Sequence, residues 1–319
     1  MDSDSHLVDD LSDRVFSSHD MKPEAADTFN AGLWLTFKKT GLDRLLSMDD
    51  GLGLRASVSV LRKAGHTTAR IPAAESMLAN LLAASGGWEE ESFMPTVIAG
   101  GEIWSSVPWG RMATAVYFLR GGRIARCRGP LPMVREHSNL AGEPRDELQI
   151  PRASIEESDS AFDPRRLICL SALLRAAAMV GAMESALELA LQHAQERVQF
   201  GKPIGRFQAV QQMLAQLAAH TAAAGAAVDL AAGQFSPLTA GAAKARASEA
   251  ARLVTDMAHQ VIGAMGYTAE HPLHLRSKRL WAWRDEDGSE VFWNRKIGVE
   301  IAANGSSGLW PLLSGTVIS

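Results

Sequence analysis

Only two cysteines, Cys127 and Cys169, occur in 319 residues, too few for a disulfide framework or a four-cysteine metal site. A large charge of either sign is also missing. Thirty-two basic residues against 36 acidic ones leave a formal net charge of -4. That balance provides no positive field for phosphate backbones, which argues against a general nucleic-acid binder. The amino terminus, MDSDSHLVDD, lacks the basic segment and apolar run of a secretory signal. No long uninterrupted hydrophobic run stands elsewhere. The most apolar stretch, LICLSALLRAAAMVGAM, is broken by Arg175 and is short for a bilayer span. No internal repeat is visible. What is present is an ordinary globular composition, 46% hydrophobic and 21% charged, with enough chain for two or three packed units. These features predict a protein of the cytoplasm, with no membrane span and no metal site.

Three regions follow from the patterning. Residues 1–90 read as short helices joined by turns, in AADTFNAGLWLTFKKTG and in PAAESMLANLLAASGG, closed by Gly86 and Gly87. Residues 91–155 carry the β-type material, including a hairpin in which Ala115 to Leu119 meets Gly121-Gly122. Residues 156–319 read as a bundle. Asp163-Pro164 is a start signal. Leucines and alanines recur at three- and four-residue spacing until Gly201 and Pro203. A second helix carries Val210, Met213, Leu214, Leu217 and Ala218; a third carries Ala247, Ala250, Ala251 and Val254; a fourth spans about Ser289 to Ala303. The expected fold is mainly α with a small β domain, ending in a four-helix bundle. GLGLRA, at Gly51, Gly53 and Ala56, formally matches a dinucleotide fingerprint, but LLSMDD rather than a strand precedes it. A loop between amino-terminal helices is expected there.

Two stretches carry chemistry: ERVQFGKPIGRFQAVQ, from Glu196 to Gln211, and HQVIGAMGYTAEHPLH, from His259 to His274. From residue types alone, Arg197 suits a helix C-terminus and Glu270 a solvated loop. His271 and His274 lack a cysteine or carboxylate set that would complete a metal site. The basic run from Leu275 to Arg284, rich in tryptophan, suits a helix face or an interface where arginine stacks on indole.

Together the two stretches resemble the C-terminal domain of the acyl-CoA dehydrogenase family. Its R-x-x-FG-x-x-I-x-x-FQ pattern is matched by Arg197, Phe200, Gly201, Ile204, Phe207 and Gln208, and its Q-x-x-G-G-x-G-[FY]-x-x-E-x-P pattern is met by Gln260, Gly263, Gly266, Tyr267, Glu270 and Pro272. The resemblance implies a helical amino-terminal domain, a β middle domain and a four-helix bundle. It also implies an FAD that oxidises an acyl-CoA thioester to the 2,3-enoyl-CoA, with electron-transfer flavoprotein as acceptor. Glu270 then takes the place of the base that removes the α-proton. Arg197, Gln199 and Phe200, with Gln260, Gly263 and Ala264, fall in the cofactor region, and Arg166 and Tyr267 near the substrate. Some relatives place the base on the first bundle helix, where the matching residue is Arg165, which cannot serve.

The sequence departs from the family in three places. The flavin-contacting Y-x-x-T-E-P pattern is missing, with Trp104 and Trp109 standing nearby. The paired glycine is Gly263-Ala264. The late E-G-T-S pattern reads Glu286-Asp287-Gly288-Ser289. Such losses resemble those of a short subunit that pairs with a longer family chain in an α2β2 tetramer, often acting on steroid-type acyl-CoA. A homo-oligomeric enzyme with a reduced β domain and a non-catalytic partner subunit are the alternatives.

Overall fold

The computed structural model describes residues 3–17, 29–48, 52–89, 95–97, 105–129, 131–149 and 151–314. Four helices come first: α1 (Ser3–Ser17), α2 (Ala31–Lys39), α3 (Leu52–His66) and α4 (Ala73–Ser85). Asn30 caps α2 by accepting from Leu33 N at 2.9 Å. GLGLRA is not a loop between helices: from Leu52 onward it forms the first turns of α3. A methyl at Gly53 would meet Leu45 O at 2.2 Å, so this glycine serves close packing against the Leu42–Ser47 turn.

Strands β1 (Pro95–Val97), β2 (Val107–Pro108), β3 (Ala115–Arg120), β4 (Arg123–Arg128), β5 (Met133–Arg135), β6 (Arg145–Leu148) and β7 (Ile155–Ala161) follow. They form two small sheets, ordered β1-β3-β4-β7 and β2-β6-β5. The hairpin lies where the sequence indicated: Ala115 pairs with Arg128 and Arg120 with Arg123. Gly121 and Gly122, at φ 57° and 82°, supply the left-handed turn that matches the strand twist. Val107, Val116, Phe118 and Cys127 close a minor core here.

Helix α5 (Pro164–Glu196) begins where expected, with the Asp163 side chain accepting from Arg165 N at 2.9 Å. It is followed by the short strands β8 (Val198–Gln199) and β9 (Lys202–Pro203), then α6 (Gln208–Gly233), α7 (Pro237–Ile262), α8 (Leu273–Asp285) and α9 (Glu290–Ser314). Helix α8 is an addition to the four anticipated helices, and the Leu275–Arg284 run lies within it. By length and composition α5 could cross a membrane, but 89% of its most apolar window is buried inside the protein. Helices α3, α6, α7 and α8 pack around it, and that coat buries the apolar run.

The α3–α5 crossing depends on two missing side chains. A Cβ on Gly65 would fall 1.9 Å from Ala178 O, and one on Gly181 would fall 1.8 Å from Arg62 O. The backbones therefore touch, which joins the amino-terminal helices to the bundle in one continuous apolar core.

Candidate functional site

The two motif stretches lie at one end of the bundle. Helix α5 stops when Arg197 turns extended, its N–H still donating to His193 O at 2.9 Å. The β8–β9 hairpin then turns through Phe200 and Gly201, both left-handed at φ 50° and 79°. Such a conformation is costly for phenylalanine, and Phe200 is also 91% exposed. The Phe207 ring lies 6.2 Å from it, edge-on. Arg197 and Gln199 are exposed beside it.

Across from the hairpin, α7 ends at Gly263 with φ 73° and ψ -149°, a region open only to glycine. Nothing stands within 4 Å of where a Cβ would be, so its backbone is open to approach. Gln260 and Ala264 are exposed. Tyr267 is 74% exposed and stacks on His259 at 4.3 Å. Glu270 is exposed on the turn before Pro272. Its neighbour His271 is held below the usual histidine range by burial and by the charges of His193, Arg276, His259 and His274. His193 sits one turn before Arg197, so the stretches share one electrostatic neighbourhood.

A planar guanidinium at Arg197, two amides at Gln199 and Gln260, and an open backbone at Gly263 all stand exposed, and these are donor types that suit a diphosphate such as that of FAD. Trp109 is buried, 3% exposed, with its ring edge-on to Phe29 at 5.8 Å, so it packs the interior. Trp104 lies outside the described residues. The cysteines are both free and buried.

A separate interior cavity of about 410 Å3 lies between α4, the β region, α5 and the loop joining α8 to α9. Neither Glu270 nor Arg166 lines it. Arg175, the residue that interrupts the apolar run of α5, lines it. Arg175 Nε donates to Asp287 Oδ2 at 3.0 Å and Nη2 to Glu75 Oε1 at 2.9 Å. Glu286 receives both Nε and Nη2 of Arg145, at 2.9 and 2.7 Å. Glu143 accepts from Trp283 Nε1 at 2.9 Å and lies 3.4 Å from Arg279 Nε. Lys244 donates to Arg284 O, Gly288 O and Ser248 Oγ at 2.8–2.9 Å, fixing the loop from outside the cavity.

Charge compensation explains the titration behaviour. Burial alone would push Glu143 up, but Arg145, Arg279 and Arg175 hold it at about 2. Asp287 is lowered in the same way: burial is outweighed by Arg175 and by the Ser171 hydroxyl. Burial brings Lys244 down to about 8. Glu143 and Asp287 belong to one connected set of ion pairs with Arg145, Arg175 and Arg279, and Lys244 is bonded beside it to carbonyl and hydroxyl oxygens.

Sequence reasoning did not find this cluster. Its signals were an arginine inside an otherwise apolar helix and the Glu286-Asp287-Gly288-Ser289 run; a buried charge demands a partner. The position of α5 that faces the loop acid is Ser171, whose Oγ donates to Asp287 Oδ1. Arg165 lines a groove beside α9 instead, and Arg166 a third cavity.

Residues 167–285 match the family described as acyl-CoA dehydrogenase, C-terminal domain. This bundle is similar to an acyl-CoA dehydrogenase C-terminal domain. The whole chain follows the same fold. It superposes on a Tcur3481-Tcur3483 steroid acyl-CoA dehydrogenase variant with a TM-score of 0.83 at 19% identity, covering 95% of this chain and 99% of that one. The ChsE4-ChsE5 complex from Mycobacterium tuberculosis gives 0.78 at 21% identity, covering 95% and 98%. Butyryl-CoA dehydrogenase from Megasphaera elsdenii gives 0.73 at 16%, covering 94% and 98%. No curated protein sequence matches the chain.

Proposed function

We propose that the chain is the short subunit of a heteromeric, FAD-dependent acyl-CoA dehydrogenase, lending its exposed motif face to a flavin site completed by a longer family chain. The observation that carries this reading is the contrast between the two sites. The carboxylates of the interior cavity are engaged by arginines, whereas the dinucleotide-binding side chains stand open. A base for a thioester α-proton needs a free carboxylate with a pKa near neutrality. Asp287 is held the other way, and its ion pair would have to break first.

FAD, when bound, supplies the acceptor for the hydride that leaves the β-carbon. Arg197 would hold the diphosphate by its fork, Gln199 and Gln260 would donate from their amides, and Gly263-Ala264 would let the backbone approach. Phe200 offers an apolar face to a ring or to the partner chain. The carboxylate that takes the α-proton then belongs to the longer chain. The likeness to a complex of two chains and to a steroid acyl-CoA dehydrogenase favours a bulky, steroid-type acyl-CoA substrate. Electron-transfer flavoprotein is the proposed acceptor.

The test is expression alone and with a longer family chain. The expected result is a colourless, inactive chain alone and a yellow, active complex together. Flavin absorbance and enoyl-CoA formation by the lone chain would overturn the proposal. A second reading keeps Glu270 as the base, because it lies on the same face and assembly would cover it. Glu270→Gln in the active complex separates the two: turnover within about threefold supports the partner role, and a loss of about a thousandfold supports Glu270.

A further inference from the structure

We propose that a third cavity, between the amino-terminal helices and the bundle, binds an amphiphilic anion: a carboxylate or phosphate head carried on an apolar tail. The cavity has a volume of about 480 Å3, within the usual range of small-molecule sites, and it lies at a junction of structural units where such sites concentrate. Most of its lining residues are apolar, and two arginines join them. Leu46 and Leu170 are buried at 7% and 3% exposure, and Leu52, Leu81 and Phe235 complete the lining. The polar groups at its mouth are two arginines, Arg55 from α3 and Arg166 from α5.

Neither arginine has an acidic partner among the described residues, although the chain carries more acids than bases. Their placement is also unusual. Arg165 and Arg166 occupy the first turn of α5, which contains no acid. That end of a long helix carries positive dipole charge, which the Asp163 cap already meets and which disfavours two further cations. Gly233, the last residue of α6, leaves the space that the Arg55 guanidinium occupies: a methyl there would fall 3.3 Å from Nη2. Two uncompensated guanidiniums above a floor of buried leucines form a site for an anionic head with a hydrophobic tail.

The resemblance places Arg166 near the substrate. Arg166 stands in the first turn of the 33-residue α5 and Arg197 at its C-terminal cap, so this site lies at the other end of the helix from the proposed flavin face, and the inference does not rest on the partner-subunit reading.

The experiment is calorimetric titration of the full chain, or of the complex if the chain purifies only with its partner. The probes are dodecanoate and dodecyl phosphate, with dodecanol and inorganic phosphate as controls. Both anionic amphiphiles are expected to bind more tightly than either control. Preference between the two heads distinguishes a fatty-acid source from a phosphorylated one. Arg55→Gln and Arg166→Gln, both on exposed side chains, should each weaken binding about tenfold, which corresponds to about 1.4 kcal/mol. Failure of both amphiphiles to bind, equal binding of dodecanol, or unchanged affinity in the double variant would each overturn the proposal. Those outcomes leave flavin binding at Arg197 untouched, so the two readings fail separately.

Discussion

Arg175 Nε stands 3.0 Å from Asp287 Oδ2, and the opposite end of the same guanidinium reaches Glu75 of α4. One side chain thereby joins an amino-terminal helix, the first bundle helix and the α8–α9 loop. Asp287 sits at φ 56°, and its carbonyl accepts from Trp293 Nε1 at 2.9 Å. The loop acid is held by its surroundings on both its side chain and its backbone. The ion pairs around Arg175 act as a joint between structural units.

Replacing Arg175 with Met removes the cation but leaves Glu75 and Asp287 in place. Breaking one side of a buried pair costs about 3–5 kcal/mol, since the remaining charges lose compensation. Urea unfolding of Arg175→Met should show that loss. Asp287→Asn should cost less, because Arg175 keeps Glu75 and Glu286. Equal stability of Arg175→Met and the parent chain would contradict the joint.

Acid should weaken the joint in a defined window. Glu143 and Asp287 have folded pKa values depressed from 4.5 and 3.8. The folded state therefore binds fewer protons than the unfolded chain as these groups titrate. Their stabilisation is complete above those unfolded values and declines as pH falls from about 5 toward 2. Melting temperature measured between pH 7 and pH 2.5 should drop steeply over that range. Glu143→Gln should begin lower at pH 7 and fall less steeply.

The α3–α5 crossing makes a prediction about packing alone. A Gly181→Ala methyl would strike Arg62 O at 1.8 Å, and the obstacle is backbone. Ordinary overpacking costs about 1–3 kcal/mol; this contact should reach the upper end or prevent folding. Gly201→Ala meets nothing within 4 Å but sits at φ 79°, so it should cost only about 1 kcal/mol of left-handed strain. Chemical denaturation of the two variants ranks them.

Much of the architecture could be read from local signals. Asp163-Pro164 announced α5, Gly121-Gly122 announced the hairpin, and alanine-rich faces announced α6 and α7. Those features are written in neighbouring residues. The ion-pair joint was not legible, because Glu75, Arg145, Arg175 and Asp287 lie far apart in sequence and meet only after the helices pack. GLGLRA misled for a related reason: Gly53 is small to approach Leu45 O, a contact invisible without the turn it packs against. The motif residues could be named from the resemblance, but their exposure on one face, and the separation of Arg166 from them, needed the fold.

Arg197 should be sensitive to geometry as well as charge. If its fork holds a diphosphate, Arg197→Lys keeps the charge but loses the paired donors. Flavin content of the purified complex should fall in Arg197→Lys nearly as far as in Arg197→Gln, by about tenfold or more. Full retention by the lysine variant would reduce Arg197 to a general electrostatic contribution.

Phe200 gives the sharpest separation of stability from function. Its ring is 91% exposed, so on the isolated chain it contributes little burial. Its left-handed backbone, φ 50°, costs about 1 kcal/mol, and the edge-on contact with Phe207 returns a comparable amount. Asparagine tolerates that conformation far better than phenylalanine. Phe200→Asn should therefore leave the stability of the lone chain within about 1 kcal/mol. If the ring is retained for a flavin or a partner chain, the same change should cut flavin retention or complex formation about tenfold. Titration of the variant with the longer chain, followed by absorbance and size-exclusion chromatography, reads both. A variant that assembles and holds flavin normally would show that the strained, exposed ring serves neither.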